Sequence, residues 1–222
     1  MYIPKLFHET RSPEIRSVIE ENGFATIVTC DGGRPVATHA PLRLIESPDG
    51  PTKLEGHVSV ANPQWRLFEQ AAHTLAIFTG PHSYISPRWY DHLNVPTWNY
   101  IAVHVYGTPR LIGDSAEARE MLRRLVNQYE GSYPGENRYR VEDLPSDFLA
   151  GQMKGIVCFE ITIDDIQASF KLSQNRNQAS YENVVAELQK SDDARARKVA
   201  EIMAERRCVK SQKLTNCLTK ED

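Results

Sequence analysis

FATIVTCDGGRPVATHAPLRLI, running from Phe24 to Ile45, decides the fold. Phe24 to Cys30 is rich in β-branched residues, Asp31-Gly32-Gly33 supplies a turn, and Pro35 to Ile45 returns as a second strand, which together predict a β-hairpin. Upstream, Ser12 followed by Pro13 starts a short helix whose apolar stripe is Ile15, Val18 and Ile19, and Gly23 closes it. Downstream, past the turn-rich Ser47 to Pro51, Lys53 to Val60 alternates. Leu54, Gly56, Val58 and Val60 fall on one face, and Lys53, Glu55, His57 and Ser59 on the other. That is a third strand.

Asn62-Pro63 signals a helix start, with the expected helix at Gln64 to Ala72. Thr74 to Thr79 (TLAIFT) reads as a buried fourth strand, and it delivers the chain into a loop, Gly80 to Gly107. The loop gathers Tyr84, Trp89, Tyr90, Trp98 and Tyr100 beside His82, His92 and His104. Aromatic faces beside hydrogen-bonding tips suit either a stiff core loop or the wall of a planar polar ligand. A fifth strand, Tyr100 to Ile112, carries an expected break at Gly107 to Pro109. Asp114 with Glu117 makes a capping box for a helix bearing Met121, Leu122, Leu125 and Val126. Ser146 to Met153 is a short helix, and Gly155 to Ile163 a sixth strand continued by Ile166 to Leu172 after an Asp164-Asp165 corner. From Asn177 the chain is helical in two pieces broken at Ser191 to Asp193. Strands arriving as hairpins with a few helices between them predict an antiparallel barrel rather than a doubly wound sheet.

With 222 residues the chain can bury a sizeable core, and with 26 Lys and Arg against 29 Asp and Glu no basic field covers the surface. Any DNA contact is therefore local. Cys30, Cys158, Cys208 and Cys217 have no CxxC spacing, which argues against a zinc knuckle and a disulfide framework and for a reducing cytoplasm. No run of about 18 apolar residues predicts a membrane span, and MYIPKLFHETRSP lacks the form of a signal peptide. The hydrolase G-x-S-x-G, zinc H-E-x-x-H, P-loop and dinucleotide G-x-G-x-x-G patterns are all missing from the sequence. The seven histidines show no metal-ligand spacing.

What remains is a group of polar residues that strands and a helix start can bring together: Thr38, His39, His57, Ser59, Asn62 and Gln64. The helix start predicts an anion site, with Arg66, Lys171 and Arg176 as cations in reach. An anion site beside an aromatic, proline-stiffened segment suits a phosphorylated planar molecule, and flavin mononucleotide (FMN) has that form.

MYIPKLF, ATHAPL (37–42), GHVSVANPQW (56–65), FTGPHSYISPRWY (78–90), VPTWNY (95–100) and KLSQNR (171–176) together resemble the PaiB family of FMN-binding negative transcriptional regulators. The resemblance spans about residues 2 to 176. It implies a mainly β fold, the antiparallel split β-barrel of the pyridoxamine-phosphate-oxidase type, with peripheral helices, acting as a cytoplasmic homodimer with FMN between subunits. It implies a barrel domain at 1–176, a helical segment at 177–210 and a flexible tail at 211–222. Carried over by position, it implies Thr38, His39 and Ala40 beside the isoalloxazine, and His57, Ser59, Asn62 and Gln64 near the phosphate and ribityl chain. Thr97 and Trp98 would wall the ring, while Lys171, Gln174 and Arg176 would close the site from this subunit or its partner. No catalytic residue is implied. Two departures stand out: Asp91 to Asn94 is shorter than the family's loop and lacks its lysine, opening the pocket, and Asn177 replaces a common proline, leaving the start of the C-terminal helices less fixed. Promoter DNA is a further expected partner, its only basic cluster being Arg195, Arg197, Lys198, Arg206, Arg207 and Lys210. The alternatives are a flavin-dependent oxidoreductase, a haem-binding or haem-degrading split barrel using His39 or His57, and a dimerisation module with a filled groove.

Overall fold

Turn chemistry, caps and close strand contacts set the architecture of the chain. A computed structural model describes residues 1–46, 50–70, 73–134 and 139–218, with side chains through 207. In chain order the elements are β1 (His8–Glu9), α1 (Ser12–Glu21), β2 (Phe24–Asp31), β3 (Arg34–Ile45), β4 (Lys53–Ser59), α2 (Trp65–Phe68) and β5 (Thr74–Ile85). There follow β6 (Thr97–Leu111), α3 (Ser115–Glu130), α4 (Ser146–Met153), β7 (Ile156–Lys171), α5 (Gln178–Gln189) and α6 (Ala194–Leu218).

The β2–β3 hairpin forms as expected, closed by the Asp31–Arg34 pair. Its two-residue turn, Gly32-Gly33, has φ of 52° and 90°, the left-handed region that glycine enters without a Cβ clash. The sheet order is β1-β7-β4-β3-β2-β5-β6, and β6 also pairs with β7, so six strands close on themselves. The registered pairs are antiparallel. The capping box on α3 forms too, with the Asp114 carboxylate accepting the Glu117 N–H at 2.8 Å.

Four expectations change. β5 does not stop at Thr79 but runs through Gly80-Pro81 to Ile85. The β2 register reaches only Ile77, so beyond it Pro81 needs no ladder partner on that side. β6 starts at Thr97 and passes Gly107 to Pro109 without a break. A Cβ on Gly107 would stand 2.2 Å from the Thr162 carbonyl oxygen, so this glycine marks a close strand contact. β7 is likewise continuous through Asp164-Asp165. The helix after Asn62-Pro63 is a single turn, with Ala71 and Ala72 outside the described residues. The Ser47-Pro48-Asp49 loop also lies outside them, as does the end of the tail read at 211–222, into which the α6 backbone extends as far as Leu218.

The chain divides into two units. One is Ser12–Phe78 with Val103–Gln167; its core holds Ile27, Leu42, Leu54, Phe78 and Ile161 at 0% exposure, and Phe68 packs on Phe159 with ring centres 4.9 Å apart. On this unit two buried glutamates, Glu55 and Glu160, oppose each other in the β4–β7 register. Like charges so placed would repel, but Arg124 binds Glu55 at 2.7 Å, and Lys53 and Arg110 each bind Glu160 at 2.9 Å.

The other unit is Met1–Arg11, Thr79–Ala102 and Ala168–Asp222. Here α5 packs against α6, and Val184, Leu188, Val199 and Met203 are buried. Glu9 ties the N-terminus to α6. Its carboxylate accepts from the Thr10 and Arg11 N–H groups at 3.0 Å, from the Arg11 guanidinium at 2.9 Å and from Arg206. Burial opposes ionisation of Glu9, but the bonds from Arg11 and Arg206 outweigh it and hold its pKa down to about 2. A carboxylate depressed in this way contributes stability above its unfolded pKa, and the contribution disappears as pH falls from about 4.5 towards 2. Glu9→Gln is expected to cost on the order of 2 kcal/mol at pH 7 and to flatten the stability profile between pH 4.5 and 2. Urea unfolding across that pH range checks both, and an unchanged slope would refute it.

Candidate functional site

The implied ligand-facing residues fall into two sets. The first lies on β3, β4 and the turn before α2. In β3, Thr38 is half-buried, His39 exposed and Ala40 buried. The His39 ring stacks on Phe24 of β2, with centres 6.0 Å apart, and Phe24 is itself 69% exposed. The sequence drew no attention to Phe24, because an aromatic at the start of a strand ordinarily packs inward.

Asn62 links β3 to the turn, donating to the Thr38 hydroxyl at 2.8 Å and accepting the Gln64 N–H at 2.9 Å. The bond to the Gln64 N–H is an Asx turn that precedes the helix, whose cap position is Gln64 and carries no side-chain cap bond, so Asn62 is not the expected cap. A one-turn helix has almost no macrodipole, and its Arg66 and Leu67 N–H groups donate to the Pro63 and Gln64 carbonyls, so the helix start does not make the anion site expected of it. Arg66 lies over the Trp65 ring at 5.2 Å. Gln64 points inward and is 1% exposed; its amide nitrogen donates to the Ile27 and Val36 carbonyls and to the Thr29 hydroxyl at 3.1 to 3.2 Å. It holds the β2–β3 hairpin to the turn, while its buried Oε1 accepts no bond among the described residues. His57, on β4 opposite Cys158 of β7, is half-buried with Nδ1 unpartnered among the described residues. Burial lowers its pKa, so it offers a neutral ring N–H or lone pair rather than a cation. Ser59 is exposed, and its hydroxyl accepts the Ala61 N–H at 3.2 Å.

The second set lies at the start of β6 and the end of β7. Trp98 is 52% exposed and is flanked by His82 and Tyr84 of β5, with ring centres 6.2 and 6.1 Å away. The aromatic segment expected as a loop is thus mainly two strand ends. Its apolar Trp98 face is open. Thr97 accepts a 2.5 Å bond from the Lys171 ammonium. Beyond β7 the chain turns at Ser173, whose φ of 59° is rare for a residue with a side chain. Three bonds brace that turn: the Asn99 amide meets the Ser173 hydroxyl at 3.0 Å, and the Gln174 side chain accepts the Leu172 N–H at 2.7 Å while donating to the Phe170 carbonyl. Both polar ends of Gln174 are therefore engaged in the turn. Arg176 lies over the Tyr90 ring at 4.6 Å, with a 3.5 Å contact to Asn94.

The short Asp91 to Asn94 segment is firmly tied down. The Asp91 carboxylate accepts from the Ser180 hydroxyl at 2.6 Å, from Asn177 at 3.0 Å and from His92 at 2.6 Å, bonds that hold its pKa down to about 2. Asn177 in turn caps α5 by accepting the Ser180 N–H at 2.9 Å. The start of the C-terminal helices is fixed by this cap, contrary to the expectation drawn from the missing proline. Asp91 and Ser180 are 89 residues apart, so no local pattern could have shown the pair.

The donor set fits a phosphorylated flavin. Lys171 and Arg176 touch only neutral partners among the described residues, which leaves both charges available to an anion. The open Trp98 face offers a surface for a planar ring. Elsewhere, among the described residues, no cluster of His, Cys, Asp and Glu could hold a metal ion, and no helix is long and apolar enough to cross a membrane.

Comparison with known proteins agrees with this chemistry. Residues 1–165 match the family described as "Putative FMN-binding domain". The chain is 43% identical over 206 residues to the Protease synthase and sporulation protein PAI 2 of Bacillus subtilis, covering 93% of this chain and 98% of that one. Among solved structures it is similar to the FAD and heme binding protein from Mycobacterium smegmatis, with a TM-score of 0.57 and 19% identity, covering 81% of this chain and 79% of that one. It is similar in the same degree to the flavocytochrome Anf3 from Azotobacter vinelandii, with a TM-score of 0.57, 12% identity and coverage of 82% and 78%. These likenesses show the split-barrel fold that the strand order describes. The family match and the extended identity place the chain in the PaiB family of FMN-binding proteins.

Proposed function

We propose that this protein binds FMN as a cytoplasmic homodimer and acts as a negative regulator of transcription. The observation that carries the flavin reading is the pair of cations, Lys171 and Arg176, left without carboxylate partners among the described residues and standing in the same unit as an open Trp98 face. Lys171 and Arg176 bind the phosphate in this reading. In the other unit, Thr38, His39 and Ala40 are the residues proposed to meet a flavin ring, and Ser59, Asn62 and a neutral His57 those proposed to meet its phosphate and ribityl chain. Thr97 and Trp98, in the same unit as the two cations, face the ring, whereas Gln64 and Gln174 position their neighbours. Bound FMN would supply a visible absorbance and a redox couple. The purified protein titrated with FMN is expected to quench flavin fluorescence at one equivalent per subunit, and no change in either spectrum refutes the reading.

Trp98→Ala is expected to weaken FMN binding about tenfold while leaving the melting temperature near that of the wild type, since an exposed ring contributes to stacking more than to the core. A titration beside a thermal melt checks it, and unchanged affinity removes Trp98 from the site.

The regulatory half of the proposal draws on the extended similarity to the sporulation protein. The basic cluster expected to meet DNA is largely engaged within the fold. Arg195 pairs with Asp193 at 3.0 Å, Lys198 with Glu201 at 3.4 Å, and Arg206 with Glu9, while the Arg207 guanidinium lies 4.5 Å from the Tyr181 ring centre. Direct DNA contact through this face therefore has to compete with internal partners. A mobility shift on promoter DNA at low salt, lost as salt rises, supports direct repression; no shift at low salt counts against it.

A further inference from the structure

A groove of about 750 Å³ lies on the Ser12–Phe78 and Val103–Gln167 unit, lined by none of the residues assigned to the flavin. Its floor belongs to a buried cluster of Ile112, Met121 and Cys158, with Met153 and Ile156 packed against it. Three walls carry small residues: Gly113 after β6, Ala116 in the first turn of α3 and Ala150 in α4. Neither backbone strain nor crowding explains Gly113. Its φ lies outside the left-handed region, and a Cβ there would meet nothing within 4 Å. The small side chains leave open a volume within the usual range for an organic ligand.

Two cations, Arg119 of α3 and Lys154 at the end of α4, stand on the lining. Both are exposed, and neither is paired with a carboxylate among the described residues. That sets them apart from Arg110, Arg123 and Arg124, which are all ion-paired. No carboxylate lines the groove among the described residues, and the three acids adjacent to its lining in sequence are engaged elsewhere. Asp114 caps α3, Glu117 binds Arg110 at 2.6 Å, and Glu120 binds Arg123 at 2.6 Å. Met153 adds an unbranched, polarizable side chain that adapts to ligand shape.

We infer that this groove binds an amphipathic organic anion, an acyl chain or ring ending in a carboxylate. The apolar part lies over Ile112, Met153 and Cys158, and the carboxylate meets Arg119 and Lys154. An uncharged molecule with the same tail lacks the second half of that recognition, and a small inorganic anion lacks the first.

Decanoate is a suitable probe, titrated by calorimetry into the full-length protein beside decanol and acetate. Saturable decanoate binding at one site per chain is expected, with decanol at least about tenfold weaker and acetate without measurable heat. Arg119→Ala with Lys154→Ala removes the head-group contacts and is expected to weaken decanoate by about the same factor. Ala150→Trp fills the groove and is expected to abolish binding; if that variant fails to fold, Gly113→Leu makes the same test from another lining position. The inference is overturned by no decanoate binding to the wild type, as when a second copy covers the groove, or by equal affinity in the charge-removed and groove-filled variants, the mark of adventitious surface binding. FMN titration of the same variants is a separate readout that this outcome does not depend on.

Discussion

Gly107→Val is expected to prevent accumulation of folded protein, and Gly107→Ala to lower stability by about 3 kcal/mol or more, at the upper end of the cost of overpacking. At this position β6 passes so close to β7 that an added Cβ would meet the Thr162 carbonyl oxygen at 2.2 Å, the Ile161 Cγ2 at 2.6 Å and the Thr162 carbonyl carbon at 3.0 Å. A flexible side chain could swing aside, but two of these three atoms are backbone. Relief requires separating the β6–β7 pairing that closes the six-stranded ring. A loss of that size is a large fraction of the roughly 5–15 kcal/mol that holds a domain folded. Gly113→Ala is the matched control, because a Cβ there meets nothing within 4 Å, and its effect is expected within about 0.5 kcal/mol. Urea midpoints of the two alanine variants make the comparison. A Gly107→Ala protein as stable as Gly113→Ala would show that the two strands can part at little cost.

The same glycine illustrates what a single sequence conveys. Local chemistry was legible: the Gly32-Gly33 turn and the Asp114 cap of α3 both follow from residues a few positions apart. Strand ends were not. Gly80-Pro81 and Gly107 to Pro109 read as punctuation because glycine and proline usually interrupt a strand, and only the neighbouring strand reveals that Gly107 is required by a close approach and Pro81 tolerated beside an unpaired edge. The site was legible in its residue types more than in their roles. Trp98 is exposed and Lys171 and Arg176 touch only neutral partners among the described residues, whereas Gln64 and Gln174, chosen for the same polarity, have their amides bound to nearby backbone. The bonds of Asp91 were not legible, because its partners Asn177 and Ser180 lie more than 80 residues away in sequence. An acid beside a histidine in a short turn gives no sign of where its bonds go.

Removing both uncommitted cations, Lys171→Ala with Arg176→Ala, is expected to weaken FMN binding about 100-fold or more while leaving riboflavin affinity nearly unchanged. The two ligands differ only in the phosphate, so their comparison separates an anion contact from a general disturbance of the ring site. Each hydrogen bond between a charged donor and a phosphate oxygen contributes about 1.5–3 kcal/mol, and every 1.4 kcal/mol is a factor of ten in affinity. The wild-type contacts of these residues are modest by comparison: Lys171 donates to a neutral hydroxyl at 2.5 Å, and Arg176 rests on an aromatic face with one 3.5 Å contact to Asn94. A phosphate can therefore engage both without breaking an existing ion pair, and the folded state loses little when they are removed. Arg176→Lys refines the test. It keeps the charge but loses the planar fork and the stacking on Tyr90, so an intermediate loss for FMN is expected. Fluorescence titrations of both flavins against the three proteins supply the numbers. An equal loss for FMN and riboflavin would mean that Lys171 and Arg176 shape the ring site without meeting the phosphate.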